Sequence, residues 1–299
     1  MKIVQKQEPI ILSSNIPRYE PKIEIYNSKV QKTYPKGELI QDETSIYKVL
    51  TDTSSDLAPK DNVLNYEFIR KSSYFAIFDH KQNTSTKNLT RIKYTLKTSD
   101  IDSIAFFGLN AQKITLKLYN ADDKLIYEKA KNAQVRYVSD WWEWTYERLH
   151  QKTNIVFLDL PLIFNAKLEF EIEDLEVTCS CSYVVFGHSK DLGLTLVEPA
   201  PSISIRNVIA NTNNTEGITS SFVFKTYEKV TCSILLDTNR LQELRDFLKM
   251  LGSKPALFVA DKTDEGFESL IIYGFHKDFD VPIGLQKSVY NLEIQSIKI

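Results

Sequence analysis

The chain has 299 residues, with 37 Lys and Arg against 39 Asp and Glu, a formal charge of −2. Hydrophobic residues make up 42% and aromatic residues 11%, while Gly numbers only 9 and Met only 2. That composition excludes collagenous, low-complexity and Met-rich classes and fits a chain able to bury a core. The balanced charge leaves no global field to hold nucleic acid, so no nucleic-acid binding is expected.

Residues 1–58 predict an extended N-terminal arm with one or two strands. Pro9, Pro17, Pro21 and Pro35 interrupt it, the apolar runs Ile10–Leu12 and Ile23–Tyr26 are short, and no helical stripe is visible. Such a segment buries little against itself and calls for a partner surface, on its own domain or on a neighbouring subunit. Met1–Leu12 lacks the apolar stretch of a secretory signal. No run reaches the roughly 18 apolar residues of a membrane span, so a cytoplasmically made protein without membrane insertion is expected.

Residues 59–196 predict serial short strands. Tyr74–Asp79 reads as one, and Leu89–Lys97 alternates, with Ile92, Tyr94 and Leu96 on one face. Ile104–Leu109 is apolar throughout, as in a strand buried on both sides. Ile114–Tyr119 alternates again, and Leu125–Tyr127, Ile155–Leu160, Leu168–Ile172 and Tyr183–Phe186 continue the series, with turn residues such as Asn120–Asp123 between them. Short strands at this spacing predict a β-sandwich of jelly-roll type. Residues 197–299 change style. Two strands, Ser220–Thr226 and Lys229–Leu236, precede one helix in which Leu241, Leu244, Phe247, Leu248 and Leu251 recur at helical spacing. Asp237–Asn239 offer caps, Gly252 and Pro255 end the helix, and strands follow over Ala256–Ala260, Leu270–Phe275 and Val289–Ile299. The expectation is a smaller β domain with one packed helix.

No nucleotide-binding, nucleophile-elbow or zinc-protease motif occurs. His80, His150, His188 and His276 are scattered, with no ligand neighbour at metal spacing. His188–Asp191 contains triad residue types but reads as a polar turn. Asp122–Asp123, Glu171–Glu176 and Asp261–Glu265 read as solvated edges and loops, without EF-hand spacing. Cys179, Cys181 and Cys232 are too few for a disulfide framework and read as small buried hydrophobes. The expectation is therefore no enzyme, no metal and no cofactor. The strongest local anomaly is Tyr137–Tyr146, which holds all three tryptophans. Read as a strand, it puts Trp142 and Trp144 on one face and Trp141 on the other. Trp141, Trp142, Trp144 and Tyr146 are the site candidates. A core or lid position, an interface anchor and a sugar-binding platform all remain open for them.

Several segments resemble a known family. Ile104-Ala-Phe-Phe-Gly-Leu-Asn-Ala111 with Ile114-Thr-Leu-Lys-Leu-Tyr119 is similar to the core strand pair of galactose-binding-like jelly rolls. Val184-Val-Phe-Gly-His-Ser-Lys-Asp-Leu-Gly-Leu-Thr-Leu196 resembles a segment of tailed-bacteriophage tail proteins, often labelled carbohydrate-binding. Ser202–Arg206, the helix, Pro255–Val259 and Tyr273–Phe279 follow in the order seen there, so the resemblance covers about residues 60–299. It implies a jelly roll over 59–196 and a tail-tube-like β domain with one helix over 197–299, following the arm read over 1–58. It further implies a non-enzymatic virion component of the distal tail, baseplate or tail tip, a ring or adaptor. Its partners would be copies of itself, tube, hub and fibres. The alternative is a carbohydrate-binding module contacting host glycans through Trp141–Trp144.

Overall fold

The computed structural model describes residues 1–27, 32–54, 57–79, 84–135, 140–146, 149–175, 177–213, 219–259, 270–282 and 284–297. The protein is mostly β. A five-stranded sheet runs in the order Leu125–Asn132, Lys113–Tyr119, Ala166–Glu173, Arg91–Thr98, Ile10–Ser14. Alternation decides its two faces. Ile114, Leu116 and Leu118 point inward from one strand, and Leu168, Phe170 and Ile172 from the next. Between them, Glu169, Glu171 and Glu173 point outward and pair across the sheet with Lys93 and Arg91 at 2.6–3.0 Å.

The buried face packs on one part of a long, curled antiparallel sheet. That sheet runs Asn154–Phe157, Ser103–Phe107, Tyr183–Asp191, Lys2–Lys6, Ala256–Val259, Ile271–Asp280, Lys287–Ser296, Thr219–Asp237. Leu194–Thr195 and Ser202–Asn213 both pair with its last strand. Ile104, Phe106, Phe157, Val184 and Phe186 enter the core shared with the five-stranded sheet. Phe106 and Tyr94 both lie 5.4 Å from Phe170 between ring centroids. Ser103–Phe107 is buried on both faces, as its unbroken apolar run predicts.

A second core lies under the helix Leu241–Leu251, whose Leu244, Leu248 and Leu251 meet Cys232, Ile234, Phe258, Tyr290 and Leu292. The helix ends as its sequence predicts, with Gly252 at φ 54 and its N–H bonded to Leu248 O at 3.1 Å. The strand Lys2–Lys6 joins the two regions. It pairs with Tyr183–Asp191 on one side and with Ala256–Val259 on the other, so Ile3 faces both Lys190 and Phe258. Ile3 enters the helix-side core, and Val4 enters a cluster on the opposite face with Ala105, Phe107, Val185, Leu257 and Tyr273. Gly187 is required for this pairing, because a Cβ there would stand 2.0 Å from Gln5 O.

Four local expectations need correction. Residues 1–58 are not an arm of one or two strands. Lys2–Lys6 and Ile10–Ser14 complete the two large sheets, and Glu24–Ile25, Leu39–Asp42 and Ser45–Val49 form a small sheet with Tyr66–Lys71. The small sheet closes on Tyr34, Ile40, Val49 and Tyr66. Glu20 ties it to the body through Arg70 at 2.7 and 2.8 Å and the Ser73 N–H at 2.9 Å. Tyr74–Asp79 is not a strand: Ser72 O accepts the N–H groups of Phe75 and Ala76, and the one-turn helix Ser73–Ala76 overrides the aromatic β preference. His188–Asp191 is not a turn but the end of the strand Tyr183–Asp191, held in line by Lys2–Lys6. Finally, Ser220–Thr226 and Lys229–Leu236 are parts of one strand, Thr219–Asp237.

Candidate functional site

That strand is 19 residues long, which at about 3.3 Å per residue is roughly 60 Å. Its end over Lys229–Asp237 lies in the body of the sheet, paired with Lys287–Ser296. Beyond Lys229 it pairs, among the described residues, only with Ser202–Asn213, with Ile205 opposite Glu228 and Asn213 opposite Thr219. From there outward the hairpin is a two-stranded ribbon, and among the described residues no strand pairs with either outer edge. Ile205 is 67% and Ile209 61% exposed, with Ile203 and Val208 also exposed. A β-bulge between Val208 and Ile209 changes which face the following residues present. Arg206 is the only charged residue in Ser202–Asn213, and no proline interrupts it, so the usual protections against edge pairing are sparse. Two strands alone are marginal in water. The missed signal lies at Tyr227-Glu228: neither is a turn former, so nothing there breaks the strand.

The tryptophans sit elsewhere. Gln134–Val135 pairs with His150–Gln151, and the chain between them carries the helix Trp141–Tyr146. Asp140 Oδ1 accepts the Glu143 N–H at 2.8 Å, an N-terminal cap. The segment is therefore helical, not extended. Trp142 pairs with Tyr146 four residues on, at 4.2 Å between ring centroids. Trp141 and Trp144, three apart, project together from a different side. The exposures of 75% for Trp141, 64% for Trp142, 59% for Trp144 and 64% for Tyr146 overturn a core position. Tyr137–Ser139 lie outside the described residues.

The other candidates are held in structural contacts. His188 Nδ1 is 3.5 Å from Asp102 Oδ2, but Asp102 already accepts the Ser189 N–H, the Ser189 hydroxyl and the Ser103 hydroxyl, each at 2.7 Å. It staples two strands rather than orienting a base. Lys190 pairs with Glu243 at 2.9 Å and lies over Phe247. Asp122 and Asp123 form a turn capped by Asn120, and Asp123 meets Lys167 at 3.1 Å. Cys179, Cys181 and Cys232 are buried free thiols. Burial raises the Cys181 thiol well above its ordinary range and Cys232 to about 11, which keeps both protonated. Among the described residues no three His, Cys, Asp or Glu side chains converge as a metal site, and no helix is long and apolar enough to cross a membrane. His80, Glu176 and Asp261–Glu265 lie outside the described residues. Comparison with protein-family models, curated proteins and solved structures gives no match.

Proposed function

We propose that this protein is a structural subunit that assembles with copies of itself through the hairpin 202–213/219–228. The observation that carries this reading is the ribbon itself, which extends beyond its own fold with two open edges and exposed isoleucines. The two edges belong to different strands on opposite sides of the ribbon. Pairing one edge with the other edge of the next copy is a head-to-tail contact, which closes into a ring when the rotation per copy allows. Together with the resemblance carried by Val184–Leu196, this supports a component of a bacteriophage distal tail, baseplate or tail tip. It would serve as a ring or adaptor between tube and hub or fibres. On that reading residues 59–196 are a galactose-binding-like jelly roll and residues 197–299 a tail-tube-like β domain.

The test replaces residues 206–227 by an Asn-Gly turn and compares the two proteins by sedimentation and negative-stain imaging. The expected result is rings or larger species for the unaltered chain, and a folded monomer of unchanged melting temperature for the shortened one. A monomeric unaltered chain at high concentration, or a shortened chain that assembles equally well, overturns the reading.

A second reading, contact with host glycans through Trp141, Trp142 and Trp144, is favoured by their exposure. The rings face two sides of a short helix, which suits anchoring in a partner surface better than a flat sugar platform. Glycan-array binding abolished by Trp142→Ala with Trp144→Ala would favour the sugar; loss of assembly in the same variant would favour the anchor.

A further inference from the structure

The long curled sheet has two ends, and they differ in what guards them. At one end the ribbon presents edges that no described strand covers. At the other end stands Asn154–Phe157, whose one strand neighbour among the described residues is Ser103–Phe107. Its sequence invites a further neighbour. Thr153-Asn-Ile-Val-Phe-Leu158 holds no charge, no proline and no glycine, the composition of a segment that takes up strands from other chains.

Three side chains of the facing five-stranded sheet close over this end. Tyr127, Lys129 and Lys131 alternate along its edge strand Leu125–Asn132 and share the less exposed face. The Tyr127 hydroxyl donates to Asp159 Oδ1 at 3.0 Å, and Lys129 Nζ donates to Asp159 Oδ2 at 2.6 Å. Lys131 Nζ donates to the Val156 carbonyl at 3.0 Å and lies 5.3 Å from the centroid of the Phe157 ring. Lysines turned inward from an edge strand hinder pairing between chains, because a second chain would bury their charge. In an antiparallel pair, alternate residues turn their N–H and C=O groups away from the partner strand.

We infer that Lys131 seals this end of the sheet by occupying the outward carbonyl of Val156, so that copies join through the ribbon and not through Asn154–Phe157. The inference rests on the assembly reading and adds a direction to it, since one end of the sheet is closed and the other open. Without the ammonium, Asn154–Phe157 of one copy pairs antiparallel with the same strand of another across a two-fold axis. Lys129 and Tyr127 act differently: they hold the Asp159 side chain, outside the strand, so their loss uncovers no main-chain group of Asn154–Phe157.

Amide hydrogen exchange and sedimentation of the full chain test it. In the unaltered chain, raising the concentration is expected to slow exchange over residues 202–228 and to leave 153–158 unchanged. In Lys131→Met, which keeps the apolar stem, exchange over 153–158 is expected to slow about tenfold as the concentration rises, with species larger than those of the unaltered chain. Lys131→Arg and Lys129→Ala should behave as the unaltered chain. Asn154→Lys added to Lys131→Met should reverse the change by returning a charge to the strand. Circular dichroism checks that each variant is folded. Slowed exchange over 153–158 on assembly of the unaltered chain overturns the inference whether or not any variant folds. A folded Lys131→Met with unchanged exchange over 153–158, or an equal effect in Lys129→Ala, overturns it too. Unchanged exchange over 202–228 in the unaltered chain counts instead against the assembly reading, and the Lys131→Met result still decides the seal.

Discussion

The sandwich and the hairpin are built from the same kind of strand and treated in opposite ways. In the sandwich, Lys113–Tyr119 and Ala166–Glu173 have neighbours on both edges, a buried inner face and an outer face of paired charges. In the hairpin, Ser202–Asn213 has one neighbour, no charge pairs on its described side chains and isoleucines in water. The same β-branched chemistry that closes a core in one place is left unspent in the other. A strand is finished by what covers it, and among the described residues no strand covers either edge of the ribbon.

The contrast can be broken most severely at the sandwich. Phe106→Ala removes a fully buried ring from the centre of the core and is expected to cost about 3–5 kcal/mol; denaturant unfolding monitored by fluorescence reads it. Gly187→Ala forces a Cβ against Gln5 O and is expected to cost about 1–3 kcal/mol. That loss should appear as faster proteolysis of residues 1–6, and unchanged cleavage would mean the bridging strand does not depend on this close approach.

The junction of the small sheet with the body should respond to acid. Burial pulls the Glu20 carboxyl upward, but the Arg70 side chain and the Ser73 N–H outweigh it, and the group sits below its ordinary value of 4.5. A carboxyl depressed in the folded state stabilises it above the unfolded value, and that stability is lost as pH falls through the lower folded value. Melting curves of the unaltered chain and Glu20→Gln should therefore converge as pH drops below 4.5. A constant gap between them would remove Glu20 from the account. Smallest for the monomer is Ile205→Lys, expected within about 0.5 kcal/mol in melting experiments because the side chain is exposed. Its effect should instead fall on sedimentation, as loss of large species.

Strands with strong alternation were legible in the sequence. Ile114, Leu116 and Leu118, and the run Ile104–Phe107, lie where their patterns put them, and so does the helix Leu241–Leu251 with its terminal Gly252. Local pattern carries no record of distant partners, so the destination of Lys2–Lys6, between strands some 185 and 255 residues further on, was not legible. Nor was the helix at the tryptophans, because a period of two and a six-residue helix are hard to separate over so few positions.

The bridging strand also sets a timetable. Lys2–Lys6 leaves the ribosome long before either neighbour exists, and its second neighbour ends at Val259. At about 5–20 residues per second the wait is on the order of 10–50 s. Until Val259 is made, the native surroundings of Ile3 and Val4 are incomplete, and the sheet is interrupted at its middle. The two halves can form in sequence, but they become one continuous sheet only when Lys2–Lys6 is paired with both Tyr183–Asp191 and Ala256–Val259.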